Sequence, residues 1–130
     1  MKSIFVIDAN VILRYLLADH AEYFQKARDF FDSVKVDKSK GYIPESVVVE
    51  CVYVLLKVYR IPRAEIAESL AGVLRYKGIL NENTALLLES LRLFHQKNVD
   101  IVDALIHVTA KARGWQNFSF DLDLQKLEKE

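Results

Sequence analysis

Four consecutive apolar residues, Ile4-Phe5-Val6-Ile7, stop abruptly at Asp8, and this stop constrains the fold more than any other feature of the chain. The run is β-branched or aromatic and does not alternate, which describes a strand covered on both faces in a parallel sheet. It is too short for a secretory core of about 7–15 apolar residues. No stretch reaches the roughly 18 apolar residues of a membrane helix, because Glu50 and Lys57 interrupt the longest candidate. Parallel strands need helical crossovers, and the rest of the chain supplies them.

Residues 10–17 read as a helix with Asn10 as N-cap. Residues 21–36 carry Phe24, Ala27, Phe31 and Val34 at helical spacing. A polar loop over 35–41 leads to a short strand candidate at Tyr42-Ile43, and Pro44 suits the start of the next helix. Residues 47–59 form a strongly apolar helix and residues 63–76 another. Ile79-Leu80 is a short strand candidate. Helices follow over 83–97 and 100–113, the second closed by Gly114. Phe118-Ser119-Phe120 reads as a strand, residues 122–127 as a short helix, and residues 128–130 as a frayed end. Short strands separated by helices mean an α/β fold with a short central parallel sheet flanked by helices.

The chain has 130 residues, which predicts one domain over 1–130. With 52% apolar and 28% charged residues it is neither disordered nor low in complexity. Lys plus Arg and Asp plus Glu are 18 each, so bulk charge does not drive polyanion binding. The single cysteine, Cys51, excludes an internal disulfide and a cysteine-based zinc site, and a soluble, reducing, cytoplasmic setting is expected.

The acids fall where acids are expensive. Asp8 directly follows the first strand, at the carboxyl end where open α/β sheets bind ligands. Asp121 follows the last strand in the same way. Glu50 is the only charged residue between Val47 and Leu56, and Asp103 the only one between Ile101 and Val108. Each has a bland explanation: Asp8 and Asp121 as helix caps, Glu50 pointing to solvent, Asp103 favoured by a helix dipole. Jointly, four acids flanked by apolar residues describe a convergent cluster. Packed carboxylates repel and must take up protons unless a cation is present. Carboxylate oxygens suit Mg²⁺ or Mn²⁺. Two such ions about 3.5–4 Å apart activate water and stabilise a leaving oxygen in phosphodiester cleavage.

These residues also carry a family resemblance. Ile7-Asp8-Ala9-Asn10-Val11-Ile12-Leu13-Arg14-Tyr15-Leu16-Leu17 resembles the opening motif of PIN-domain ribonucleases, specifically the VapC-like toxins. Val49-Glu50-Cys51-Val52, Val99-Asp100-Ile101-Val102-Asp103-Ala104-Leu105-Ile106 and Phe118-Ser119-Phe120-Asp121-Leu122-Asp123 are similar to its later motifs, in order, with Ser119 where Thr is more usual. The resemblance implies a three-layer PIN-like fold and a Mg²⁺- or Mn²⁺-dependent endoribonuclease, the toxin of a toxin–antitoxin pair. It places Asp8, Glu50, Asp103 and Asp121 in the acidic site, with Asn10 and Ser119 as polar supports and Asp123 as a weaker candidate. It also implies a homodimer and an antitoxin whose tail, often through an Arg, occupies the acids. Many relatives continue into a final edge strand, which this chain is expected to lack.

Other residues invite two readings each. Asp100, one turn before Asp103, is better read as an N-cap than as a further acid near the metal. His107, four residues after Asp103, is better read as a satisfied, partly buried histidine. Arg14 could bind a substrate phosphate or pair with a site acid. Lys57, Arg60 and Arg63 with Tyr53 and Tyr59 could meet single-stranded RNA, although such clusters more often cover a solvated helix end. Trp115 is expected to pack in a helix–strand turn and Cys51 to be a buried thiol. The all-round apolar helix over 47–59 suits a core or a homodimer seam. A catalytically silent PIN-like module that binds RNA or protein is the alternative function. A receiver-like phospho-acceptor domain is disfavoured, because no Lys follows a late strand.

Overall fold

The structure is a computed structural model, described here over residues 3–129. Strand β1 spans Ile4–Val6 and pairs in parallel with β2, Lys40–Tyr42, in the register Phe5 opposite Gly41. The ladder continues through Ile7, whose N–H donates to the Tyr42 carbonyl at 2.8 Å. On the far side of β2, Gly41 forms a parallel bridge with Ile79, and the Leu80 N–H donates to the Gly41 carbonyl at 2.8 Å. Gly78 makes this approach possible. A Cβ there would meet the backbone oxygens of Ser39 and Val34, which cannot move aside as a flexible side chain could.

Helices α1 (Ala9–Leu17) and α2 (Ala21–Lys35) form the crossover between the two strands, as parallel pairing demands. Helix α3 spans Glu45–Tyr53 and runs into a π turn over Val54–Val58. Then come α4 (Arg63–Leu74), α5 (Thr84–Gln96), α6 (Ile101–Arg113) and α7 (Leu122–Glu128). Phe31, Ile12, Ile43, Val52, Leu55, Ile66, Leu87 and Phe94 fill the main core. A second cluster of Leu93, Val99, Ala104, Val108, Leu124 and Leu127 joins α5, α6 and α7. The expected α/β arrangement is present. No helix among the described residues is long and apolar enough to cross a membrane.

Several expectations need correction. Strand β1 is not covered on both faces: Ile4, Phe5 and Val6 are 59%, 51% and 71% exposed, and among the described residues one edge of the strand has no neighbour. Phe118-Ser119-Phe120 is an irregular stretch rather than a strand, with both phenylalanines nearly fully exposed and their ring centres 5.5 Å apart in an edge contact. Ile79-Leu80 contributes a bridge rather than a strand. Helix α1 starts at Ala9, so Asp8 rather than Asn10 holds the N-cap position. The apolar helix over 47–59 is α3 plus the π turn, and its end is not apolar all round: Lys57, Val58 and Tyr59 face outward. Trp115 is 62% exposed, with the Arg113 guanidinium 4.9 Å from its ring centre, because no strand follows to cover it. Of the end expected to fray, Glu128 closes α7 and Glu130 lies outside the described residues.

Candidate active site

Helix α6 begins as its sequence dictates. Asp100 is extended (φ −60°, ψ 143°), and its carboxylate accepts the Val102 N–H at 2.8 Å. Gly114, with φ 67°, closes the other end in the left-handed conformation. This frame puts Asp103 in the first turn, 9% exposed, on the side facing α7. There the chain makes a second cap: the Asp121 carboxylate accepts the Asp123 N–H at 2.8 Å. Two residues earlier, the Ser119 hydroxyl accepts the Asp121 N–H at 2.9 Å.

Asp103, Asp121 and Asp123 each bring a carboxylate oxygen within 4.8 Å of the others. Burial pushes the Asp103 carboxyl up to about 6, and the negative charges of Asp121 and Asp100 add to the effect. Among the described residues, no Lys or Arg forms an ion pair with any of these three, or with Asp8 or Glu50. Among the described residues, these carboxylates therefore have no ion-paired counter-charge. Their donor set, oxygen only and closely spaced, is the chemistry a hard divalent cation requires.

Asp8 and Glu50 form a second group. Asp8 is exposed and holds the N-cap position of α1, yet its side chain makes no capping bond. Glu50 is exposed on α3. Between them sits Cys51, fully buried, its thiol donating to the Ala9 carbonyl at 3.9 Å. Burial chiefly, then the charges of Glu50 and Asp8, push this thiol up to about 12, so it stays protonated and inert. Helix α3 links the two groups: two residues beyond Cys51, the Tyr53 hydroxyl donates to Asp100. The grouping of three includes Asp103 and Asp121 but not Asp8 or Glu50, and it promotes Asp123 from a weak candidate to a full member. In the sequence, Asp123 is marked only by the resemblance of residues 118–123 to the family's last motif.

The remaining candidates are placed as follows. Asn10 is exposed and, with Asp8 and Arg14, borders a cavity of about 390 Å³ between β1, α1 and α2. Arg14 pairs with Asp19 at 3.1 Å rather than with a site acid, and its Nε is buried without a hydrogen-bond partner among the described residues. Asp100 is a cap, as expected. His107 is half-buried and close enough to Glu89 to lower its carboxyl. The basic and aromatic cluster is largely consumed by structure. The Arg63 guanidinium donates to the carbonyls of Phe94 and Val99 at 2.8 and 2.9 Å, and Tyr59 donates to Asp19 at 3.2 Å.

The PIN domain family model matches residues 5–130 of this chain. A VapC ribonuclease from Aquifex aeolicus (strain VF5) is 27% identical over 123 residues, covering 94% of this chain and 90% of that protein. With the parallel strands, the acids at the start of α1, α6 and α7 and the family match over nearly its whole length, the chain belongs to the PIN domain family.

Proposed function

We propose that this protein is a metal-dependent endoribonuclease, the toxin of a toxin–antitoxin pair. The observation that carries the reading is the un-neutralised trio of Asp103, Asp121 and Asp123, with the Asp103 carboxyl raised toward neutrality. Similarity to a VapC ribonuclease supplies the substrate class. Asp103, Asp121 and Asp123 would hold Mg²⁺ or Mn²⁺, with Asp8 and Glu50 facing the same phosphate from α1 and α3. Such an ion, when bound, supplies the positive charge that eases loss of a proton from water and stabilises the leaving oxygen.

The chain's own residues do the rest. The Asp100 and Asp121 caps fix the first turns of α6 and α7, so the carboxylates are positioned before substrate arrives. The Ser119 hydroxyl holds the Asp121 backbone, and Asn10 borders the approach to Asp8. Arg14, oriented by Asp19, offers a cation at the rim for the RNA backbone. A cytoplasmic setting, a homodimer and an antitoxin that covers the acids belong to the same reading.

RNA cleavage assays test it. Cleavage is expected with Mg²⁺ or Mn²⁺, and is expected to vanish in EDTA and in Asp103→Asn and Asp8→Asn. Cleavage that survives EDTA, or that survives both substitutions, overturns the reading. RNA binding without cleavage under any divalent ion would indicate the silent binding module instead.

A further inference from the structure

We propose that a groove along α6, from His107 to Trp115, is a track that holds single-stranded RNA leading away from the acidic site. The choice of RNA rests on the nuclease reading; the groove itself does not. Two cavities meet there. One, of about 420 Å³, lies between α5 and α6 with Arg92 and Lys97 on its wall. The other, of about 550 Å³, opens between α6, Trp115 and the end of α7 at Glu128. His107 and Lys111 border both, so the two form one depression.

Three observations say what fits it. The first is charge. Four cations, Arg92, Lys97, Lys111 and Arg113, stand around two acids, Glu89 and Glu128, on a chain whose net charge is zero. Arg92 already matches one of these acids, donating to both Glu89 oxygens at 2.6 and 2.7 Å. Arg92 first, then Lys111 and His107, hold the Glu89 carboxyl below its ordinary value. The second is an aromatic platform. Trp115 is largely exposed, and the Arg113 guanidinium lies over its ring. A cation on an indole that is otherwise open makes a stacking surface for a base. A helix end favours Lys111 and Arg113 without any ligand, but that preference gives no reason for an indole in solvent. The third is position. Asp103, His107 and Lys111 follow at four-residue steps on α6 and so share one side of it. The rise from Asp103 to Lys111 is about 12 Å. A strand whose phosphate sits at the acids can therefore run on along this side, with Gln116 and Asn117 offering donors and acceptors to its bases.

Trp115 is the one tryptophan of the chain, so its fluorescence reports on the groove directly. The full chain in EDTA is titrated with a short single-stranded oligoadenylate. Quenching is expected, with an affinity that falls as salt is raised. Measured by anisotropy of the labelled oligonucleotide, Trp115→Ala and Lys111→Glu should each raise Kd about tenfold, and Lys97→Glu should act in the same direction. All three positions are exposed. Absence of quenching, variants that bind like the wild type, or equal quenching by polyglutamate or by an RNA duplex overturns the proposal. Binding of this kind by a chain that cuts no RNA would support the track and sink only the nuclease reading; cleavage without such binding would do the reverse.

Discussion

The Tyr53 hydroxyl donates to both carboxylate oxygens of Asp100, at 2.9 and 3.2 Å, and so ties the end of α3 to the cap of α6. Burial, then the bond to Asp100, pushes the phenol up to about 12. The bond orients a carboxylate that also caps Val102, one turn from Asp103. Tyr53→Phe should therefore cost about 1 kcal/mol, the ordinary worth of one partly exposed hydrogen bond. Urea unfolding measures it. The same variant should lower RNA cleavage without abolishing it, since Tyr53 acts by positioning α6.

Asp103 faces Asp121 and Asp123, and among the described residues none of the three is ion-paired with a Lys or Arg. Asp103→Asn should raise Tm in EDTA by a few degrees, because it removes a repulsion. Mg²⁺ at ten times its Kd should stabilise the wild type by about 1.4 kcal/mol and the variant by much less. Thermal melts with and without Mg²⁺ decide. A variant that melts lower in both conditions, beside a wild type indifferent to Mg²⁺, would make the acids structural.

The raised Asp103 carboxyl has a pH signature in chelator. Its folded-state value of about 6 lies above the ordinary 3.8, so the folded protein binds this proton more tightly than the unfolded chain. The stabilisation is complete below about pH 4 and is lost as pH rises through about 6, with an upper limit of about 3 kcal/mol. Urea midpoints across this range should fall with pH in the wild type. In Asp103→Asn this component should vanish.

Arg63 joins the start of α4 to the α5–α6 turn. One nitrogen donates to two backbone carbonyls, and the guanidinium lies 4.4 Å from the Phe94 ring centre. Lysine keeps the charge but loses the flat stacking surface and the fixed donor geometry. Arg63→Lys should cost about 1–2 kcal/mol. Calorimetric melting is the check, with the acid site's Mg²⁺ response expected to be unchanged.

Local grammar made much of this protein legible. Asp100 and Gly114 bracket α6 because capping preferences act over a few residues. The acids stood out because apolar neighbours make a charge conspicuous at any fold. Cys51, buried beside Ala9, followed from an apolar helix. Asn81 was not legible. It is buried, and its amide accepts the Ile43 N–H at 2.9 Å and donates to the Ile43 carbonyl at 2.7 Å, replacing a neighbouring strand just before α3. Nothing near Asn81 in sequence announces a partner 38 residues away.

The chain's order of residues alone determined where α6 starts and stops, and which carboxylates have no basic neighbour of their own. Those properties depend on groups within one or two turns. Tertiary structure alone decided that Asp123 joins Asp103 and Asp121, that Arg14 turns to Asp19, and that β1 keeps an open edge among the described residues. Each of these outcomes is a distance between remote segments, and such distances are set by how helices pack around a shared core rather than by local preference.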